Sequence, residues 1–155
     1  MSSPTSATPK LKSSSSGTIR VCVSILVALM LGVFTLLWDG GFIPLQNIPV
    51  WTGHYVFLPL LAFLLSFGAN CLIQRLSCSQ VQVFIQLQRS LLAPLPYILT
   101  WGLLYIFPGM RWPIEGLFQN ASTIVRHGLS SGFYVFWTAL YTQATLNGLA
   151  QICPR

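Results

Sequence analysis

The sequence predicts an all-α integral membrane protein: a four-helix bundle with a short lumenal interfacial amphipathic helix and a disordered N-terminal tail. Three observations carry this expectation. Of 155 residues, 54% are hydrophobic and only 6% are charged, where a soluble domain carries about 25% charged residues. Mean hydropathy is +0.68. The charged side chains also fall outside four long apolar stretches, at 21–38, 55–74, 90–107 and 129–153. So few charges keep neither a compact globule soluble nor a disordered chain expanded. A soluble enzyme and a free nucleic-acid-binding domain are therefore the wrong classes.

Residues 1–19 are rich in Ser, Thr and Pro, free of acidic residues and without apolar periodicity. They predict a disordered cytosolic tail ahead of a membrane domain at 20–155. Ser2 leaves no myristoylation signal. The first apolar run ends in Leu-Leu-Trp-Asp-Gly, with no small-x-small cleavage site, and reads as an uncleaved anchor.

Helices are expected at 21–38, 55–74, 84–107 and 129–153. At 1.5 Å per residue the apolar runs cover roughly 27–38 Å, against a hydrocarbon core of about 30 Å. Backbone polar groups find no water there, so such runs are helices. No segment alternates polar and apolar residues as a barrel strand would. The fourth run is the weakest, because it holds Ser130, Ser131, Thr138, Thr142, Gln143, Thr145, Asn147 and Gln151. Three spans is the alternative.

The 39–54 connection contains the breakers Gly40, Gly41, Pro44 and Pro49 among apolar residues such as Phe42, Ile43 and Leu45. It is expected on the bilayer surface or folded over the bundle. Trp38, Trp51, Tyr55, Tyr105 and Trp112 form a belt at the same boundary. In the 108–128 connection, Ile114, Leu117, Phe118, Ala121, Ile124 and Val125 share one face of a helix. An interfacial amphipathic helix is predicted at 113–127, with Pro113 in its first turn, Arg126 and His127 at its end and Gly128 as its stop.

Lys10, Lys12, Arg20, Arg75, Arg89 and Arg155 fall on one side of a four-span topology, and only Arg111 and Arg126 on the other. The excess predicts that both termini face the cytosol. The net charge of +6 is then an orientation signal, with some attraction to anionic lipid. Asn120-Ala121-Ser122 is a glycosylation sequon in the second lumenal connection. The four cysteines, Cys22, Cys71, Cys78 and Cys153, fall at the cytosolic side, where no disulfide is expected. Cys78 and Cys153 are palmitoylation candidates, beside the plainer reading of small apolar residues at helix ends. The endoplasmic reticulum membrane is the expected location, with an organellar inner membrane as the alternative.

The polar residues within the spans are ordered. Ser66, Asn70 and Gln74 follow Ala62 at four-residue spacing on the second helix, and Gln143, Asn147 and Gln151 do so on the fourth. Gln86 and Gln88 come to the same side from the third. One reading is a polar seam joining the helices. The sharper reading is a cytosol-facing cavity for a lipid headgroup or small polar ligand, beside a helix kinked by Pro94 and Pro96.

Asp39, His54, Glu115 and His127 are the only Asp, Glu and His residues, and all are expected solvated at lumenal edges. None has metalloenzyme spacing, so no metal, cofactor or catalytic residue is expected. No phosphate-binding glycine loop, nucleophile elbow or redox pair is present. The expected function is non-catalytic, an accessory or scaffolding subunit. Its partners would be membrane lipids and either a membrane protein or a second copy, not nucleic acid. A lipid-modifying enzyme and a channel or carrier subunit are the alternatives.

Overall fold

A computed structural model describes residues 12–43, 48–49, 52–76, 80 and 82–152. Every regular element among them is helical. Helix α1 runs Lys12–Asp39, a π-turn occupies Gly53–Phe57, and α2 follows at Leu58–Leu76. Next come α3, Val83–Ser90, and α4, Pro94–Ile106. A 3-10 turn at Pro108–Arg111 leads into the short α5, Trp112–Gly116, and α6 spans Thr123–Ile152.

Two helical stretches are long and apolar enough to cross a membrane, Ser16–Asp39 and Gly53–Leu76. A third crossing results if Val83–Ile106 and the Pro108–Gly116 segment, which bends away by 106°, count as one broken span. Helix α6 has the length, at 30 residues, but its hydroxyl and amide groups keep it out of that set. Two or three of the four expected spans are thus supported, and the fourth, the weakest in sequence, is not.

Three boundaries differ from expectation, each for a local reason. First, α1 begins at Lys12 instead of 21, inside the stretch expected to be tail. Adding a residue to an existing helix carries no nucleation cost, so polar residues can continue it.

Second, the third helix is two pieces. Pro94 has no N–H to give Ser90, whose carbonyl instead accepts from Ala93 at 3.0 Å, while Leu92 donates to Arg89 at 3.2 Å. The chain tightens for one turn, and the prolines then sit in the first turn of α4, where a missing N–H costs little.

Third, the expected 113–127 helix does not form as one piece. It breaks after Gly116, and α6 restarts behind Ser122, whose hydroxyl accepts from Val125 N–H at 3.4 Å and whose carbonyl accepts from Arg126 N–H at 2.9 Å. Ser122 is an N-cap, and the apolar face beyond it belongs to the long helix.

Gly128 is therefore not a helix stop. It lies inside α6 and lets that helix touch α1, backbone against backbone. A Cβ at Gly128 would come 2.7 Å from Gly40 N and 2.8 Å from Gly40 Cα. One turn on, a Cβ at Gly132 would come 2.8 Å from Gly32 O. These glycines, with Ser24, Ala28 and Ala139, make the antiparallel α1–α6 pair the most extensive contact in the fold. Such close approach is how helices associate where lipid offers no hydrophobic drive.

The end of α1 is closed by its own chain. Phe42 N–H donates to Leu37 O at 3.0 Å and Gly41 N–H to Trp38 O at 3.2 Å, with Gly41 at φ +71°. This is a Schellman cap, and it needs a residue without Cβ at the left-handed position.

Helix α2 packs on α1, α3 and α4, and α4 packs on α6. The core between them contains Leu31, Leu58, Ala62, Tyr97, Trp101 and Val135. Large apolar side chains also cover the outside, among them Leu26, Leu60, Leu64, Leu99, Trp137 and Tyr141.

Candidate functional site

The amide side chains converge where α1 begins, α2 and α6 finish and α3 lies, here called the terminal end. Deepest in the bundle, fully buried Gln143 donates from Nε2 to Ser66 Oγ at 2.6 Å. Asn147 donates from Nδ2 to Ser24 Oγ at 3.1 Å, and Ser24 in turn donates to Arg20 O at 2.7 Å. Asn70 Nδ2 donates to buried Ser90 Oγ at 3.3 Å. Gln74 Oε1 accepts from Gln82 N–H at 3.2 Å, at the start of α3. These bonds tie α6 to α2, α6 to α1, and α2 to the α3 region.

Below them opens a cavity of about 160 Å³, lined by Asn70, Gln74, Gln86 and Asn147 together with Arg20 and Arg89. The structure thus holds a hydrogen-bonded seam with a polar cavity at its mouth. Gln86 is buried there, whereas Gln88 is exposed. The side chain of Gln151, together with Cys78 and Cys153, lies outside the described residues, as do Lys10, Trp51 and Arg155. Cys22 and Cys71 are free thiols, the first exposed.

Sequence reasoning missed Arg20, Ser24, Arg89 and Ser90. The first three were legible in part. Ser24, Ala28 and Gly32 repeat every four residues on α1, and this small-residue ridge marks the face that α6 meets. Arg20 is one turn before Ser24 on that ridge. Arg89 stands one turn from Gln86, but Ser90 gives no pattern of its own.

At the opposite, loop end, the four acidic and histidine residues do not sit apart in solvent. Asp39 and His54 are buried, with side chains 2% and 10% exposed, and Asp39 Oδ1 lies 2.6 Å from His54 Nε2. Helix α1 delivers the carboxylate from its last residue, and the π-turn delivers the imidazole. Gly53 admits this turn, because a Cβ there would come 2.5 Å from the Trp38 ring. His54 stacks on Trp101 at 3.6 Å between centroids, and the Arg111 guanidinium sits 5.1 Å from the same indole. Arg111 also meets His127, whose Nδ1 is 3.2 Å from Glu115 Oε1. A neutral imidazole with its proton on Nδ1 satisfies both contacts, donating to Glu115 and accepting from Arg111.

The expectation of solvated groups is thereby corrected for Asp39 and His54, whereas His127 and Glu115 keep side chains 49% and 28% exposed. A histidine edge at a loop gives no signal of burial until Trp101 arrives from α4. No cluster of metal-ligating side chains occurs among the described residues. Asn120 is exposed in the turn before α6.

On the flank of the α1–α6 pair, α5 roofs an apolar groove of about 360 Å³ lined by residues that include Leu29, Val33, Leu36, Ile114, Phe118 and Phe133. No family model matches the chain, and no curated protein or solved structure is significantly similar to it.

Proposed function

We propose that the chain is a non-catalytic, multi-pass membrane subunit that serves as an accessory or scaffold through helix–helix and lipid contacts. The observation that carries this reading is where the polar groups point. Gln143, Asn147 and Asn70 donate from their amide nitrogens to Ser66, Ser24 and Ser90 between helices, while the outward faces are apolar. Groups used in this way hold helices in register. The apolar groove beside Val33 and Phe133 adds a surface suited to an acyl chain or a partner's side chains.

On this reading α1, α2, the α3–α4 column and α6 all cross the bilayer. Both termini face the cytosol in the endoplasmic reticulum membrane, and Asn120 accepts a lumenal glycan. Glycosidase sensitivity that disappears in Asn120→Gln tests the orientation. The functional test is purification in mild detergent followed by mass spectrometry of proteins and lipids. A membrane-protein partner in stoichiometric amount, released by Val33→Trp in the groove, is the expected result. An isolated chain that turns over a co-purified lipid would sink the proposal.

One observation favours that second reading, a lipid-modifying enzyme: the buried Asp39–His54 pair has the geometry of an oriented base. In that case His54→Ala abolishes turnover while the chain still folds.

A further inference from the structure

Among the described residues, the groove on the flank of the α1–α6 pair is lined without a single polar side chain. Leu29, Val33 and Leu36 form one wall, Leu129 and Phe133 the other, and Ile114 stands in the roof. The glycine crossing is its floor. Gly32 and Gly132 bring the two backbones together and leave no side chain to fill the space between the walls. Atoms that face an unfilled space forfeit dispersion contacts, so an apolar occupant belongs there.

Depth points to the source of that occupant. The apolar stretch of α1 ends at Asp39. At 1.5 Å per residue, Leu36 and Leu29 lie about 5 Å and 15 Å inside that end. Half of a hydrocarbon core of about 30 Å is about 15 Å, so the groove follows the acyl region of one leaflet. Leu29 and Val33 are half-exposed, which leaves the groove open sideways to the bilayer.

The roof adds direction. The Pro108–Gly116 segment turns 106° from the α3–α4 column and so lies across the bundle. Glu115 meets His127 on its far side, beside the Gly128–Gly40 contact, while Ile114 and Phe118 face the groove. A helix lying at that level takes the place of headgroups, and hydrocarbon fills the space beneath it. Arg126 stands one turn before Leu129 on the same face of α6. It sets a positive charge at the loop-end rim, bonded to the Thr123 hydroxyl, and a lipid phosphate at that level complements it.

Size selects a thin chain over a helix. A cavity of about 150 Å³ holds the six carbons of benzene, so one of about 360 Å³ takes about 14 carbons packed alike. One turn of a helix about 10 Å across and 5.4 Å long sweeps about 420 Å³, more than the groove contains.

We propose, on the membrane-subunit reading above, that this groove holds one acyl chain of a bilayer phospholipid. The phosphate lies toward Arg126, and the chain runs beneath α5 and between α1 and α6 toward Leu29. It rests against Val33 and Phe133 and so completes the flank that a partner meets, which is why Val33→Trp unseats both.

The test uses the full chain in neutral detergent, titrated with a phosphatidylcholine that carries a diazirine at mid-chain. Native mass spectrometry counts the bound lipid, and peptide mapping after irradiation locates the label. A plateau at one lipid per chain is expected, with label on residues 29–36 and 129–136. Binding should weaken about tenfold or more in Val33→Trp, which fills the groove. It should stay unchanged in Leu64→Trp, at an exposed position on the outer face of α2. If Val33→Trp does not fold, Phe118→Ala, which opens the roof, takes its place with the same expected loss.

Label spread over all the outward faces without a plateau, or a plateau indifferent to the groove variants, would overturn the site. Oleic acid competing as well as unlabelled phosphatidylcholine at equal concentration would overturn the phospholipid source. Lipid turnover by the isolated chain would remove the scaffold reading and leave the plateau. A stoichiometric partner without the plateau would do the reverse, so the two proposals fail separately.

Discussion

Replacing Gly128 by alanine isolates the α1–α6 contact in one methyl group. The added Cβ would stand 2.7 Å from Gly40 N, 2.8 Å from Gly40 Cα and 2.9 Å from Leu36 O. Ordinary contact begins near 3.4 Å, so the overlap is about 0.7 Å. All three neighbours are backbone atoms, and no side chain can swing aside to relieve them. The two helices must part over the whole crossing, and a gap of 0.5–1 Å forfeits roughly a quarter to a half of each dispersion contact there. Overpacking of this kind costs about 1–3 kcal/mol, and alanine returns at most about 1 kcal/mol of helix propensity. The net expectation is a loss of about 1–2 kcal/mol.

Gly148→Ala is the control, since a Cβ there meets nothing within 4 Å. Unfolding in mixed micelles, titrated with SDS and followed by circular dichroism, gives the comparison. Gly128→Ala should unfold at lower SDS than wild type and Gly148→Ala no earlier than wild type. Equal midpoints for the two variants would refute the close helix contact.

Other perturbations address the remaining elements. Ser66→Ala leaves the fully buried Gln143 amide without its acceptor and should cost about 1 kcal/mol, with a Ser66–Gln143 double-mutant cycle giving a coupling near 0.6 kcal/mol. Ser122→Ala removes the cap of α6 and should cost about 0.5–1 kcal/mol, seen as faster hydrogen exchange at Val125 and Arg126 with the rest of the helix unchanged. His54→Ala strips the donor from a carboxylate that is 2% exposed and should destabilise by about 3 kcal/mol. The companion Asp39→Asn, which removes the charge itself, should cost less in the same unfolding assay.

The helical class was legible because composition and run length leave few alternatives. The amide positions were legible too, because four-residue spacing places Asn70 and Gln74 on one face and Gln143 and Asn147 on another. Their serine partners were harder to read, since Ser24 and Ser90 matter only after a second helix arrives from a distant part of the sequence. The same limit explains the loop end. Asp39 and His54 look like solvated edges until the π-turn and Trp101 enclose them. The misreading of 113–127 had a different source. Its apolar periodicity is real, but Ser122 offers a cap in the middle, and Gly128 answers to the close approach of α1 and not to a helix stop.

The glycine contact also has a consequence for the order of assembly. It joins α1 to α6, and the Ser24–Asn147 bond closes over 123 residues of sequence. At translation rates of about 5–20 residues per second, the first helix waits roughly 6–25 seconds before that partner exists. Throughout this interval its small-residue ridge and Arg20 are open to lipid or to a chaperone. A chain truncated before Thr123 never closes. Closure of the α1 ridge therefore waits on α6, and a defect in α6 leaves that ridge uncovered.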